Sequence, residues 1–254
     1  MTKSLVIFSG GQDSTTCLYW AIKNYGAENV YAIAFDYGQR HKNELKSAKH
    51  IARISKIAGF EIVKVPNILK SHSPLTDQNV ELEQYKNFEE MEEVIGNRVE
   101  VTVVPMRNAL FLTIAANRAV ELGATSIVTG VCGGDNNNFP DCPQAFIDSQ
   151  EQTINMSLGI NGPEQIKIET PLMNLTKAET VKLARKLKGC WRALSWTTTS
   201  YDGKYPPMDN NHSNVLRAKG FEEAGYPDPL VVRAYRAGLM ELPATSNYDS
   251  LRGK

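Results

Sequence analysis

No apolar run in this 254-residue chain approaches the roughly 18 residues that a spanning helix requires. Met1 to Ser4 lack the charged-then-apolar order of a secretory leader and lead straight into a strand-like run. Cysteine is scarce. Cys17, Cys132, Cys142 and Cys190 are scattered with no CxxC pair, which fits a reducing compartment and argues against a disulfide framework or a cysteine-based metal site. Neither charge dominates: 28 basic residues meet 28 acidic ones, so there is no global positive field to gather a large nucleic acid. Internal repeats and low-complexity tracts are absent as well. What these absences leave is a soluble, cytoplasmic protein with no membrane partner. At 42% hydrophobic content it has enough core for one large or two modest domains.

Apolar runs rich in β-branched residues recur near 4–8, 30–36, 61–65, 99–104, 126–131 and 166–169, with helical spacing between them. Helices are predicted over 14–24, 41–58, 107–122, 142–157 and 176–188, the third apolar nearly all round and therefore central. This alternation predicts an α/β fold, a Rossmann-like parallel sheet with helices on both faces. Residues 67–98, with "NFEEMEEV", read as an insertion carrying an exposed acidic helix. The pattern changes near 190, so the expected division is a sheet domain over 1–189 and a small C-terminal extension over 190–254 packed on it.

Directly after the first strand stands "FSGGQDSTTCL". A strand that ends in Ser-Gly-Gly and feeds a helix gathers backbone N–H groups around a concavity with the helix dipole behind them, an arrangement that binds an oxyanion. Gly10 and Gly11 permit close approach that a β-carbon forbids. Helix capping by Asp13 and Ser14 is the plainer account, but capping does not call for two preceding glycines. A GxxxxGK pattern and a dinucleotide glycine fingerprint are both missing, which excludes P-loop kinases and Rossmann dehydrogenases. In "VPMRN", Pro105 breaks the strand and leaves Arg107 and Asn108 at the start of a buried helix, where an arginine needs an anionic partner. In "TGVCGGDNNNFPDC" a carboxylate can accept from both a ring N–H and an exocyclic amine; Asp141, or failing it Asp135, is the candidate. Tyr37 in "FDYGQRH" could flank a nucleotide, while Arg40 and His41 either touch phosphate or begin the next helix.

The SGGxDS loop on the first strand–helix junction resembles that of the ATP pyrophosphatase family, which cleaves ATP to AMP and pyrophosphate. The resemblance implies an adenine nucleotide alpha hydrolase-like sheet, with Ser9, Gly10, Gly11, Gln12, Asp13 and Ser14 cradling pyrophosphate and Asp13 beside magnesium. Five stretches resemble one branch, 7-cyano-7-deazaguanine synthase, in content, order and spacing: "FSGGQDSTTC", "FDYGQRH", "VPMRN", "TGVCGGD" with "FPDC", and "ETPLMNLTKAE". That resemblance implies adenylation of a carboxylated deazaguanine, attack by ammonia, and a second activation that collapses the amide to a nitrile. It adds Phe35, Tyr37 and Gly130 to the nucleotide site and gives Arg107, Asn108, Asp135, Phe139 and Asp141 to the substrate. Chemistry falls to Asp13, Ser14, Arg107 and Lys177, the lysine neutralising phosphate charge. A homodimer is also implied.

The chain departs from that branch in its C-terminal part. The branch carries a four-cysteine zinc site, whereas the corresponding positions here read Ser200, Met208, Asn211 and Asn214 between a retained "YDG" and "LRA"; His212 alone cannot hold zinc. No zinc is therefore expected. Phenylalanine stands at 139 where tyrosine is usual and proline at 143 where arginine is usual. Some relatives encoded with antiviral defence genes attach a deazaguanine to a protein amino terminus, so the acceptor here is either ammonia or such a terminus. The competing readings are a tRNA-modifying enzyme of the same superfamily and a nucleotide-binding partner without catalysis.

Overall fold

Leu5 and Val6 face opposite layers of core, and this alternation sets the architecture. In the computed structural model, which describes residues 2–40, 42–66, 68–132, 138–200 and 203–252, β1 (Lys3–Ile7) is the central strand. Its neighbours are β2 (Val30–Asp36) and β4 (Ala124–Val128), with β3 (Gly59–Lys64) and β5 (Lys167–Glu169) at the edges. The order is β3-β2-β1-β4-β5 and every pairing is parallel, Leu5 lying opposite both Tyr31 and Ile127. The chain runs outward from β1 to β3, then returns to β4 on the other side. Strand order thus reverses between β1 and β4, and the crevice beyond their carboxyl ends is where open parallel sheets bind ligands.

One face is covered by α1 (Gln12–Tyr25), α2 (Asn43–Ser55), α6 (Lys177–Lys186), α7 (Cys190–Leu194) and α8 (His212–Ala224), packed through residues such as Leu18, Ile51, Val181, Leu194 and Phe221. The other is covered by α4 (Arg107–Leu122) and α5 (Gln144–Leu158) through Leu112, Ala115, Ala119, Ile147 and Ile154. Burying each large aliphatic side chain stabilises by roughly 1.5–3 kcal/mol. The helix predicted over 107–122 forms over those residues, its alanines letting it lie close to the sheet. Among the described residues no helix is long and apolar enough to cross a membrane.

The predicted strand over 99–104 does not form. Val103 N–H closes a turn on the Glu100 carbonyl, Glu100 N–H donates to the Asn138 carbonyl, and the buried Glu100 carboxylate accepts from the Thr102 hydroxyl. Local polar partners hold this apolar run as a turn. In the insertion, α3 (Phe88–Ile95) is capped by Asn87, exposes Glu89, Glu92 and Glu93, and packs Met91 and Ile95 on Leu216 of α8. The last α-helix, α9 (Pro229–Arg236), is capped by Asp228, whose carboxylate accepts from Leu230 N–H, and a 3-10 turn over Ser246–Leu251 follows it.

Candidate active site

The turn after β1 is built by close backbone approach. Gly10 has φ +84°, and a β-carbon there would sit 2.6 Å from the Ala48 nitrogen and 2.7 Å from the Glu44 carbonyl oxygen, so only glycine fits against α2. Gly11 is the N-cap of α1 and no side chain caps the helix, which leaves its first N–H groups facing the crevice. Ser9 and Ser14 hydroxyls lie 3.1 Å apart across the turn. Gly130, just past β4, would bring a β-carbon 3.1 Å from the Ser14 nitrogen; its bareness lets the end of β4 approach the first turn of α1.

Two buried polar atoms here have no hydrogen-bond partner: Gln12 Nε2 and Asp13 Oδ1. Such atoms are costly unless a ligand satisfies them. The other Asp13 oxygen, Oδ2, accepts from Lys177 Nζ at 2.8 Å. Lys177 is the first residue of α6, whose Thr176 and Glu179 form a reciprocal capping box. An amide donor suits a phosphate oxygen and an acidic oxygen suits magnesium. The residues present therefore fit a magnesium-bound triphosphate, with Asp13 as the group that would hold the metal.

The crevice opens into a cleft of about 360 Å³, within the range for small-molecule sites. Phe35 at the end of β2 stacks on Phe111 of α4 with centroids 4.0 Å apart and planes 6° apart, and Tyr37 leans on the same ring at 5.5 Å. Phe139 and His212, 6.1 Å apart, form another wall. A flat heterocycle suits such surroundings. Arg107 and Asn108 reach the cleft from the first turn of α4. Asp141 is differently engaged: its Oδ2 accepts from Asn108 N–H at 3.1 Å and its carbonyl from Asn108 Nδ2, and it does not line the cleft. Asp135 and His41 lie outside the described residues. Arg40 donates to the carbonyls of Pro74 and Val80, so its guanidinium braces the insertion. Cys142 is no nucleophile, since burial pushes its thiol up to about 12.

Residues 3–225 match the family described as "Queuosine biosynthesis protein QueC". The chain belongs to the QueC family. It is 42% identical over 231 residues to the 7-cyano-7-deazaguanine synthase of Chromobacterium violaceum, covering 91% of this chain and 94% of that one. It is 43% identical over 233 residues to the synthase of the same name from Gloeobacter violaceus, covering 91% and 96%. Membership makes the chain an enzyme of the ATP-dependent ligase class that its motifs imply.

Against the zinc site that the QueC resemblance implies, the residues present do not fit. Ser200 donates to Asp209 Oδ1 at 2.6 Å, and Asn211 and Asn214 turn their amide N–H groups onto the same carboxylate. Three of the four aligned positions thus offer hydrogens to one acidic side chain, and Met208 is exposed. Among the described residues no group of three or more His, Cys, Asp or Glu side chains could hold a metal ion.

The segment between α7 and α8, a strap across the sheet's carboxyl ends that carries Thr197 to Ser200 and Asp209, reaches the turn after β1. Thr198 N–H donates to the Gly10 carbonyl at 3.1 Å, and the Thr198 and Ser47 hydroxyls are 2.6 Å apart. Arg217, 3% exposed, holds the strap from below: it donates to the hydroxyls of Thr197 and Thr199 and makes a two-pronged bond to Asp228 at 2.6 and 2.8 Å. Among the cleft-lining residues that sequence reasoning missed are Gln39, Glu44, Phe111, Thr198 and His212, and it missed Gly220 behind Lys177 as well. A β-carbon on Gly220 would lie 2.8 Å from that of Lys177, so this glycine sets where α6 presents its lysine. "GQRHKNE" held the signal for Glu44, an acid seven residues past Tyr37; nothing local marks Gly220.

Proposed function

We propose that this protein joins the carboxyl group of 7-carboxy-7-deazaguanine to an amine at the expense of ATP. The carboxylate attacks the α-phosphorus and pyrophosphate leaves; the amine then attacks the acyl carbon, and AMP leaves with the electron pair of the C–O bond. The observation that carries this reading is the uncapped turn with its unpartnered Gln12 amide and Asp13 oxygen, which suit the departing pyrophosphate and its magnesium. Magnesium, when bound, offsets charge on that leaving group. Arg107 orients the reacting carboxylate, Ser14 and Lys177 offset phosphate charge, and Phe35, Tyr37 and Phe111 flank the planar rings.

Ammonia is the acceptor that the similarity to the curated synthases supports, with the nitrile as final product. The segment before α8, without cysteine at the four aligned positions, together with phenylalanine at 139 and proline at 143, supports the other acceptor, a protein amino terminus, and an amide product. The reading further holds that residues 190–254 complete the substrate site, that no zinc is resident, and that the protein acts in the cytoplasm. Purified protein incubated with ATP, magnesium, the carboxylated base and ammonia, and separately with candidate protein partners, is to be analysed by mass spectrometry. AMP and pyrophosphate with a nitrile or amide product support the reading; ADP as the spent nucleotide overturns it.

A further inference from the structure

Among the described residues the cleft wall carries two carboxylates, Asp13 and Glu44. Asp13 is engaged by Lys177. Glu44, in the first turn of α2, is held by a bracket of fixed orientation. Tyr37 N–H donates to Gln39 Oε1 at 2.9 Å, which sets the amide; Gln39 Nε2 then gives its hydrogens to the Phe35 carbonyl at 3.1 Å and to Glu44 Oε1 at 2.8 Å. The bracket fixes the carboxylate by one oxygen and leaves acceptor capacity on the other. Glu44 lines the same cleft as Arg107, the cation to which the proposed reading gives the reacting carboxylate, and feels its charge.

We infer that Glu44 is the catalytic base of the coupling step, taking the proton that the amine sheds as it attacks the activated acyl group. The inference rests on the proposed reading of the cleft. In the step the C–N bond forms, the C–O bond to AMP breaks, and one proton passes from nitrogen to Glu44, then to solvent. Burial lifts the Glu44 carboxyl to about 7, opposed by its bond to Gln39 and by the Arg107 charge, and a base with that affinity is matched to proton transfer near neutrality. The other charged or titratable groups on the wall are Tyr37 and Arg40 from the segment before α2, Arg107 from α4, the Asp13–Lys177 pair from α1 and α6, His212 and Arg217 from α8, and the thiols of Cys132 and Cys142.

The test separates the two half-reactions in Glu44→Gln, which keeps an oxygen for the Gln39 bond. Pyrophosphate exchange into ATP, dependent on the carboxylated base, stays within about twofold of wild type. Product formation falls by about 10²–10⁴-fold. At constant free amine, the rise of coupling rate with pH through neutrality disappears in Glu44→Gln and persists at lower amplitude in Glu44→Asp. Hydroxylamine, whose adduct carries a more acidic nitrogen and sheds its proton to water more readily than that of ammonia, suffers a smaller loss in Glu44→Gln than ammonia does. Exchange and coupling that fall together in both variants, or coupling that is unchanged, overturn the assignment. Failure of the wild-type protein to support exchange at all overturns the proposed function instead.

Discussion

Asp13 divides its oxygens between a lysine and an unpartnered buried position, and a carboxamide, with one acceptor oxygen, cannot fill both roles. Asp13→Asn is expected to abolish AMP formation, and Ser14→Ala likewise, since each contact to phosphate or metal in the turn has no substitute nearby; chromatography of spent nucleotide reads this, and near-normal turnover contradicts it. Gly10→Ala combines a positive φ with a 2.6 Å approach to backbone, so it lowers stability and nucleotide affinity together, as paired melting and binding measurements would record. Arg217→Met leaves Asp228 buried beside an apolar chain. Breaking such a pair costs about 3–5 kcal/mol, to be read from urea unfolding. Of these positions, Gly10, Asp13 and Ser14 stand out in the sequence because local chemistry demands them. Arg217 does not: its partners at 197, 199 and 228 come together only through tertiary packing.

Between elements, the positioning contacts run from α8 to α6 and from the strap to the turn after β1. Gly220→Ala drives its new methyl into Lys177, displacing the lysine from Asp13; AMP formation is expected to fall while the far-ultraviolet spectrum stays native. Asp209→Ala strips three donors of their acceptor and loosens the segment before α8, so proteolysis there accelerates, whereas a chelator leaves the wild-type melting curve unmoved. Elements with strong periodicity, α4 above all, were legible in the sequence, and so was the acidic α3. The run over 99–104 was not, because β-branched composition alone cannot distinguish a strand from a turn that answers the buried Glu100. Asp141 carried the right chemistry for reading a base, yet its carboxylate serves the start of α4, a partnership 33 residues distant.

Across the molecule, folding perturbs Glu44 and His212 in opposite senses. Glu44 rises from 4.5 to about 7, chiefly through burial, so the native state binds more protons and this contribution to stability is lost as pH climbs from about 4.5 through about 7. His212 falls from 6.5 to about 4, through burial and then the Lys177 charge; the unfolded state binds more protons, and its contribution is lost as pH drops from about 6.5 through about 4. The two trends offset one another in the overlapping window. Glu44→Gln removes one of them, so this variant gains stability relative to wild type as pH is raised through that window; a constant difference between their melting temperatures contradicts the assignment. Strand alternation and the first loop revealed the sheet and half of the cleft, while the walls supplied by α2 and α8 emerged only from their packing across it. The strap before α8 is knotted by hydroxyl, carboxamide and carboxylate groups, and the cysteines at 17, 132, 142 and 190 are all buried elsewhere. Peroxide therefore meets no thiol among the groups of that knot, and the exposed Met208 thioether beside Asp209 is the sulfur it can reach there.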